Sequence, residues 1–181
     1  MAISTIGQNG LQQSRILTAV QQPAGAVLQV VSTIKQDTFS STTQIAFTDI
    51  TGLSVSITPT SSSSQVLVMV SIGGASMDQG GASAYRLARG STAIGVGTAA
   101  GNRQPTSWRD FNGSTDGNVA FGGYCFTFLD SPATTSSTTY KLQMIVQGGT
   151  GYINRSPSDA DVSATYGTRP ASTITVMEIA A

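Results

Sequence analysis

Strict alternation of apolar and small polar residues is the feature that most limits what this chain can become. In "GLSVSIT" (52–58), Leu53, Val55 and Ile57 share one face and Ser54, Ser56 and Thr58 the other. That is the period of a half-buried strand. "PTSSSS" (59–64) follows as a hairpin loop: Pro59 has no N–H to give a ladder, and serines satisfy turn backbone locally. "QVLVMVSIGG" (65–74) is apolar on both faces, with Val66, Val68, Val70 and Ile72 opposite Leu67 and Met69. A strand of that kind needs cover on two sides.

The pattern continues along the chain. "AVLQVVSTI" (26–34) reads as the first strand and "TTQIAFTDI" (42–50) as the second. "SAYRLARG" (83–90) and "TAIGVGTA" (92–99) pair about a turn at Gly90 and Ser91. "NVAFGGYCFTFLD" (118–130) is a second strand apolar on both faces, with Gly122 and Gly123 marking a bulge or a close backbone approach. "YKLQMIVQGG" (140–149) alternates, and "ASTITVMEIA" (171–180) closes the series. Residues 97–118 and 149–170 read as long loops, the second with a short strand at Tyr152 and Ile153. So many short strands, with turn signals between them, mean an all-β sandwich or barrel. Strands at both ends of the domain and two long loops late in the chain favour a jelly roll.

Residues 1–34 read as an N-terminal anchoring arm plus the first strand, and 35–181 as the jelly-roll domain. The apolar residues Leu11, Ile16, Leu17 and Val20 have a weak amphipathic spacing that Pro23 ends. A short helix and an extended arm both fit. Such a segment cannot fold alone, so it must pack on its own domain, on a sister subunit or on a different protein, and these four residues are the candidate anchoring contacts.

Charged residues are only 10% of the chain, against about 25% in ordinary domains. Ser and Thr together make up roughly a quarter of it, far above normal usage. Hydroxyl-covered strands with few charges suit surfaces pressed against neighbouring subunits, because charges are expensive to desolvate. Zero net charge and the scattered arginines exclude a nucleic-acid binder. No apolar run nears the ~20 residues of a membrane span, and the N terminus lacks the pattern of a signal peptide. The expectation is a chain made in a cytoplasm, with no membrane insertion.

Chemistry is sparse. There is no histidine, one cysteine and one glutamate. That removes the Ser-His-Asp arrangement, zinc sites and the commonest general base. No catalytic residue, cofactor or metal is expected. Cys125, inside "YCFTFL", reads as a small buried hydrophobe. Asp130 in "DSP" reads as a turn cap, and Glu178 as a rim hydrogen bond or arginine partner. "SDAD" (158–161) is a fragment of a calcium loop, and a solvated turn is the blander reading. "NGS" at Asn112 and "NRS" at Asn154 match the glycosylation pattern by accident. One constellation stands out: "RQPTSWRDF" (103–111) gathers Arg103, Trp108, Arg109, Asp110 and Phe111, the composition of a recognition hot spot. The alternative is that the aromatics pin the loop to its own domain. Tyr152 and Tyr166 in the second long loop, with Arg155 and Arg169, are expected on the same face.

Several segments together resemble a known group. "GLSVSITPTSSSSQVLVMVSI", "YRLARGSTAIGVG", "FLDSPATTSSTTYKLQMIV" and "STITVMEIAA" resemble short virion proteins of tailed phages, described as fibre or structural proteins. Their domain is thought similar to trimeric jelly rolls of fibre heads and of complement- and tumour-necrosis-factor-like proteins. The resemblance covers about residues 35–181 and its motifs are structural. It implies a non-enzymatic homotrimer in a virion, anchored through residues 1–34 and displaying loops to a host surface glycan or protein. A capsid decoration (cement) protein that staples capsomers through its N-terminal arm is the alternative. An aspartate-based depolymerase, through Asp110, Asp159 and Asp161, and a free-standing lectin are the other classes.

Overall fold

The computed structural model describes residues 22–78, 80–111 and 122–181, without the side chains of Asp110, Phe111 and Tyr166. The anchoring segment with Leu11, Ile16, Leu17 and Val20 lies outside the described residues. Eleven strands follow in order: β1 (Val27–Lys35), β2 (Phe39–Ser41), β3 (Thr48–Ile57), β4 (Gln65–Met77), β5 (Ala82–Arg89), β6 (Thr92–Ile94), β7 (Trp108–Phe111), β8 (Gly122–Asp130), β9 (Thr138–Gln147), β10 (Gly151–Ile153) and β11 (Ser172–Ile179). A single 3-10 turn at Thr165–Gly167 is the only helical piece among the described residues.

The pairing is that of one long hairpin rolled up. β1 pairs with β11, β3 with β9, β4 with β8, and β5 with β6 and β7, all antiparallel. Rolling adds two further seams, β11 against β4 and β9 against β5. The result is a jelly roll of two sheets. The first sheet has the order β1-β11-β4-β8, and the short β10 and β2 extend it past the start of β11. The second has the order β3-β9-β5, flanked by β6 and β7.

The period of two decides what lies between the sheets. Val66, Val68, Val70, Ile72, Ile174 and Val176 face inward from the first sheet. Leu53, Val55, Tyr85, Leu87, Tyr140, Leu142 and Met144 meet them from the second. Two clusters hold the main inward polar groups. Tyr140 donates its hydroxyl to Asp130 Oδ2 at 2.7 Å, and Arg89 Nη1 donates to both Asp130 oxygens at 2.9 and 2.8 Å. Burial first, and then the Asp130 carboxylate beside it, push the Tyr140 hydroxyl well above its usual pKa, so the phenol stays protonated. Asn154, at φ 62°, donates to the carbonyls of Lys35 and Asp37 and accepts from Ser172. Its amide is buried and fully engaged.

Four details differ from the sequence reading. Residues 42–50 and 52–58 are not two strands. Gly52, at φ 86°, lets the chain bulge and continue as β3, with the register shift between Asp49 and Ser54. Within the loop 97–118, β7 adds to the edge of β5. Cys125 is exposed, because Tyr124, Phe126 and Phe128 take the inward positions of β8 and put it on the other side. Glu178 takes the hydrogen-bonded reading, but in the interior and not at a rim, and no arginine among the described residues pairs with it. It is fully buried and accepts from Gln29 Nε2 at 2.6 Å and from the amide and hydroxyl of Thr60 at 2.7 Å. Burial pulls its pKa upward, and these donors outweigh that and hold it below the usual carboxylate value.

Candidate functional site

The outer faces of the two sheets are chemically unlike. On the first sheet, the ladders fix rows of side chains across four strands. One row is Val30, Met177, Leu67 and Leu129; the next is Ser32, Thr175, Met69 and Thr127; the third is Ile34, Thr173, Ser71 and Cys125. Val27, Ile179 and Gln65 stand at the end of the same face. None of these positions carries a charge. Among the described residues seven large apolar side chains are exposed, and five are here: Val27 54%, Val30 55%, Ile34 57%, Met69 41% and Leu129 45%. The hydroxyls between them bond to one another, as Ser32 and Thr175 do at 2.8 Å. Contiguous apolar patches of this kind mark interaction sites.

The second sheet carries charges on its outer face. Arg86 Nε donates to Gln143 Oε1 at 2.7 Å, and Gln143 Nε2 donates to Asp49 Oδ1 at 2.6 Å. Lys141 Nζ reaches the other Asp49 oxygen at 2.7 Å, and the Arg86 guanidinium lies 4.1 Å over the Phe47 ring. Partial burial acts to raise the Asp49 pKa, but Lys141, Gln143 and Arg86 together hold it below its ordinary value. Beyond this network, where β5 begins, lies a cleft of about 590 Å³. Ala82, Ala84 and Ile145 line it from the sheet, Arg109 from β7, and Arg103, Gln104 and Thr106 from the chain between β6 and β7. Gln44, Ser83, Val146 and Gln147 also line it.

The structure therefore brings Arg103 and Arg109 together in the cleft lining and places Trp108 and Tyr152 elsewhere. The Trp108 ring turns inward. It stacks on Tyr85 at 5.1 Å and on Phe126 at 5.6 Å, so it joins the two sheets and pins the loop. Tyr152 sits on β10 in the first sheet, donates its hydroxyl to Asp78 at 2.9 Å and lies beneath the Arg155 guanidinium at 4.4 Å. The side chains of Phe111 and Tyr166 are outside the described residues. Asp159 in "SDAD" is held by Arg169 at 2.6 Å and Arg155 at 3.6 Å, an ion-paired loop. The sequence reading missed Gln44, Gln104 and Gln147. A glutamine in a loop carries no pattern that singles it out.

No family model and no curated protein matches the chain. Among solved structures, that of infectious bursal disease virus Gt strain is 14% identical with a TM-score of 0.40, covering 84% of this chain and 36% of that one. The crystal structure of the infectious bursal disease virus VP2 subviral particle is 15% identical with a TM-score of 0.40, covering 84% and 37%. That of the Gx strain is 16% identical with a TM-score of 0.40, covering 85% and 38%. The chain thus spans little more than a third of the length of these neighbours.

Proposed function

We propose that the chain is a non-enzymatic structural protein of a tailed-phage virion, a homotrimeric fibre or adhesion module anchored by its N-terminal segment. The observation that carries this reading is the charge-free outer face of β1-β11-β4-β8. An uncharged, hydroxyl-dotted face four strands wide is costly to leave in water and cheap to press against a copy of itself. The count of three comes from the resemblance, and closed rotational symmetry is the usual form of such assemblies.

The placement of chain ends supports anchoring and display. Gly25 N–H donates to the Ala180 carbonyl and Ala180 N–H to that of Ala26, so the chain enters and leaves the sandwich side by side. The longer connections 36–47 and 154–171 leave from the opposite end, where β1 stops and β11 starts. A segment holding one end on a particle would leave those loops facing away from it.

Sedimentation of the full chain tests the assembly, and imaging of labelled particles tests the position. A trimer located on the tail or neck is the expected result. A trimer on the capsid shell, released by deleting residues 1–21, would replace the fibre reading with decoration. A monomer at high concentration would remove the basis of both.

A further inference from the structure

We infer that the N-terminal segment of one copy, through Leu11, Ile16, Leu17 and Val20, packs on the charge-free face of a neighbouring copy. The inference deepens the self-association proposed above and rests on it for the neighbour.

Threefold symmetry sets the requirement. A twofold contact lets a patch meet itself; around a threefold axis one patch meets a different one on the next copy. The face spanning β1-β11-β4-β8 therefore needs a complement of other sequence but of the same uncharged chemistry. The outer face of the second sheet does not supply it. Arg86, Asp49 and Lys141 stand there, and apolar side chains laid over them would strip their water without replacing it. The N-terminal segment does supply it. Arg15 is the one charged side chain in residues 1–21, and no acidic residue accompanies it. The four apolar residues match the exposed Val30, Ile34, Met69 and Leu129. Between them, Gln12, Gln13 and Thr18 carry groups that donate to and accept from hydroxyls such as those of Ser32, Thr127 and Thr175.

The described chain also shows where this segment departs. Ala26 N–H donates to the Pro23 carbonyl at 3.0 Å, and Gly25, at φ 84°, makes the tight turn between them. Gly25 N–H donates to the Ala180 carbonyl at 2.7 Å, which ties that turn to the end of β11. The turn reverses the chain just before Val27, and Val27 stands at one end of the face, paired with Ile179. The segment therefore departs from the margin of the face. Val20 precedes Pro23 by three residues and Leu11 by twelve, a reach of up to about 10 and 40 Å. Four strands about 4.8 Å apart span roughly 15–20 Å. The segment is long enough to pass the boundary between two copies and lie on the next face.

The test traps the contact with cysteines in the full chain. One version carries Cys125→Ser and, in turn, Leu11→Cys, Ile16→Cys, Leu17→Cys or Val20→Cys. The other carries an enlarging tag and keeps Cys125, which is exposed in the third row of the face. Co-expressed and oxidised with copper phenanthroline, the two versions should join by a disulfide at one or more of the four positions. Moving the second thiol to the opposite sheet, with Ser54→Cys and Cys125→Ser, should abolish that product. A chain holding both thiols should form the bond between chains and not within one. Replacing the four apolar residues together by serine should raise the dissociation constant of the trimer about a hundredfold in sedimentation and speed the modification of Cys125 by a thiol reagent. A trimer in which none of the four thiols reaches Cys125, or in which they react equally with position 54 or only within one chain, overturns the inference and leaves the homotrimer standing. So does a trimer indifferent to the serine substitutions. A dimer joined through Cys125 of both copies overturns it as well, since the face then meets itself. A monomeric parent removes the neighbour, and the inference falls together with the assembly.

Discussion

Met69→Asp isolates the charge-free face, because Met69 stands in its middle row and points away from the core. Five side chains on that face are each about half exposed. Covering the remainder of each would contribute roughly 1 kcal/mol, half of the 1.5–3 kcal/mol for burying a whole apolar side chain. The face thus offers about 5 kcal/mol per copy toward association, before the cost of losing free tumbling. An aspartate at its centre withdraws one of these contributions and places an unpaired carboxylate in a dry interface, a penalty of about 3–5 kcal/mol. Together these offset most of the driving force, and the dissociation constant should rise by at least a hundredfold per copy. The single chain should be nearly unaffected, since Met69 is solvated there. Analytical ultracentrifugation over a range of concentrations would show a trimer for the parent and a monomer for the variant, with the same urea midpoint for monomeric material. An unchanged sedimentation profile would mean that the copies meet elsewhere, and the reasoning from this face would fail.

Three further outcomes are expected. Cys125 lies on the same face and is exposed in the single chain, so a thiol reagent should modify it slowly in the assembled parent and rapidly in the Met69→Asp variant. Asp130→Asn, which strips the charge that Arg89 and Tyr140 both use, should cost about 2–3 kcal/mol in urea unfolding, and its effect should be non-additive with Tyr140→Phe. Glu178 has its folded pKa held below the unfolded value, so its contribution is full above the unfolded pKa and is lost as pH falls through the folded one; unfolding midpoints should drop on acidification, and Glu178→Gln should flatten that part of the curve.

The strands were legible because their period is two and their boundaries are marked by Gly, Pro and Ser runs. The double-sided apolarity of "QVLVMV" and "CFTFL" called for a second cover, and among the described residues Met69 and Leu129 stand exposed on the outer sides of β4 and β8. Arg89, Asp130 and Tyr140, which lie in two of the quoted segments, form one hydrogen-bonded cluster. Sequence spacing could not reveal that, because the contact depends on the sheets closing. The cleft was half legible: two arginines in one loop drew notice, but Ala82, Ala84 and Gln147 come from β5 and β9, and only strand pairing brings them under that loop. Trp108 was ambiguous for a physical reason, since an aromatic in a Gly-rich loop serves equally as a sticky surface or as an internal peg, and burial against Tyr85 decides it.

The position of β11 has a consequence for biogenesis. It is the last strand to leave the ribosome, yet it is wedged between β1 and β4 and touches both along most of its length. Until it arrives, β1 has no neighbour in its sheet and β4 has an open edge. On the proposed assembly, nascent or prematurely terminated chains would lack a continuous association surface until synthesis has passed β11. The non-local closure that makes such a topology slow to fold would then double as a checkpoint on that proposed assembly.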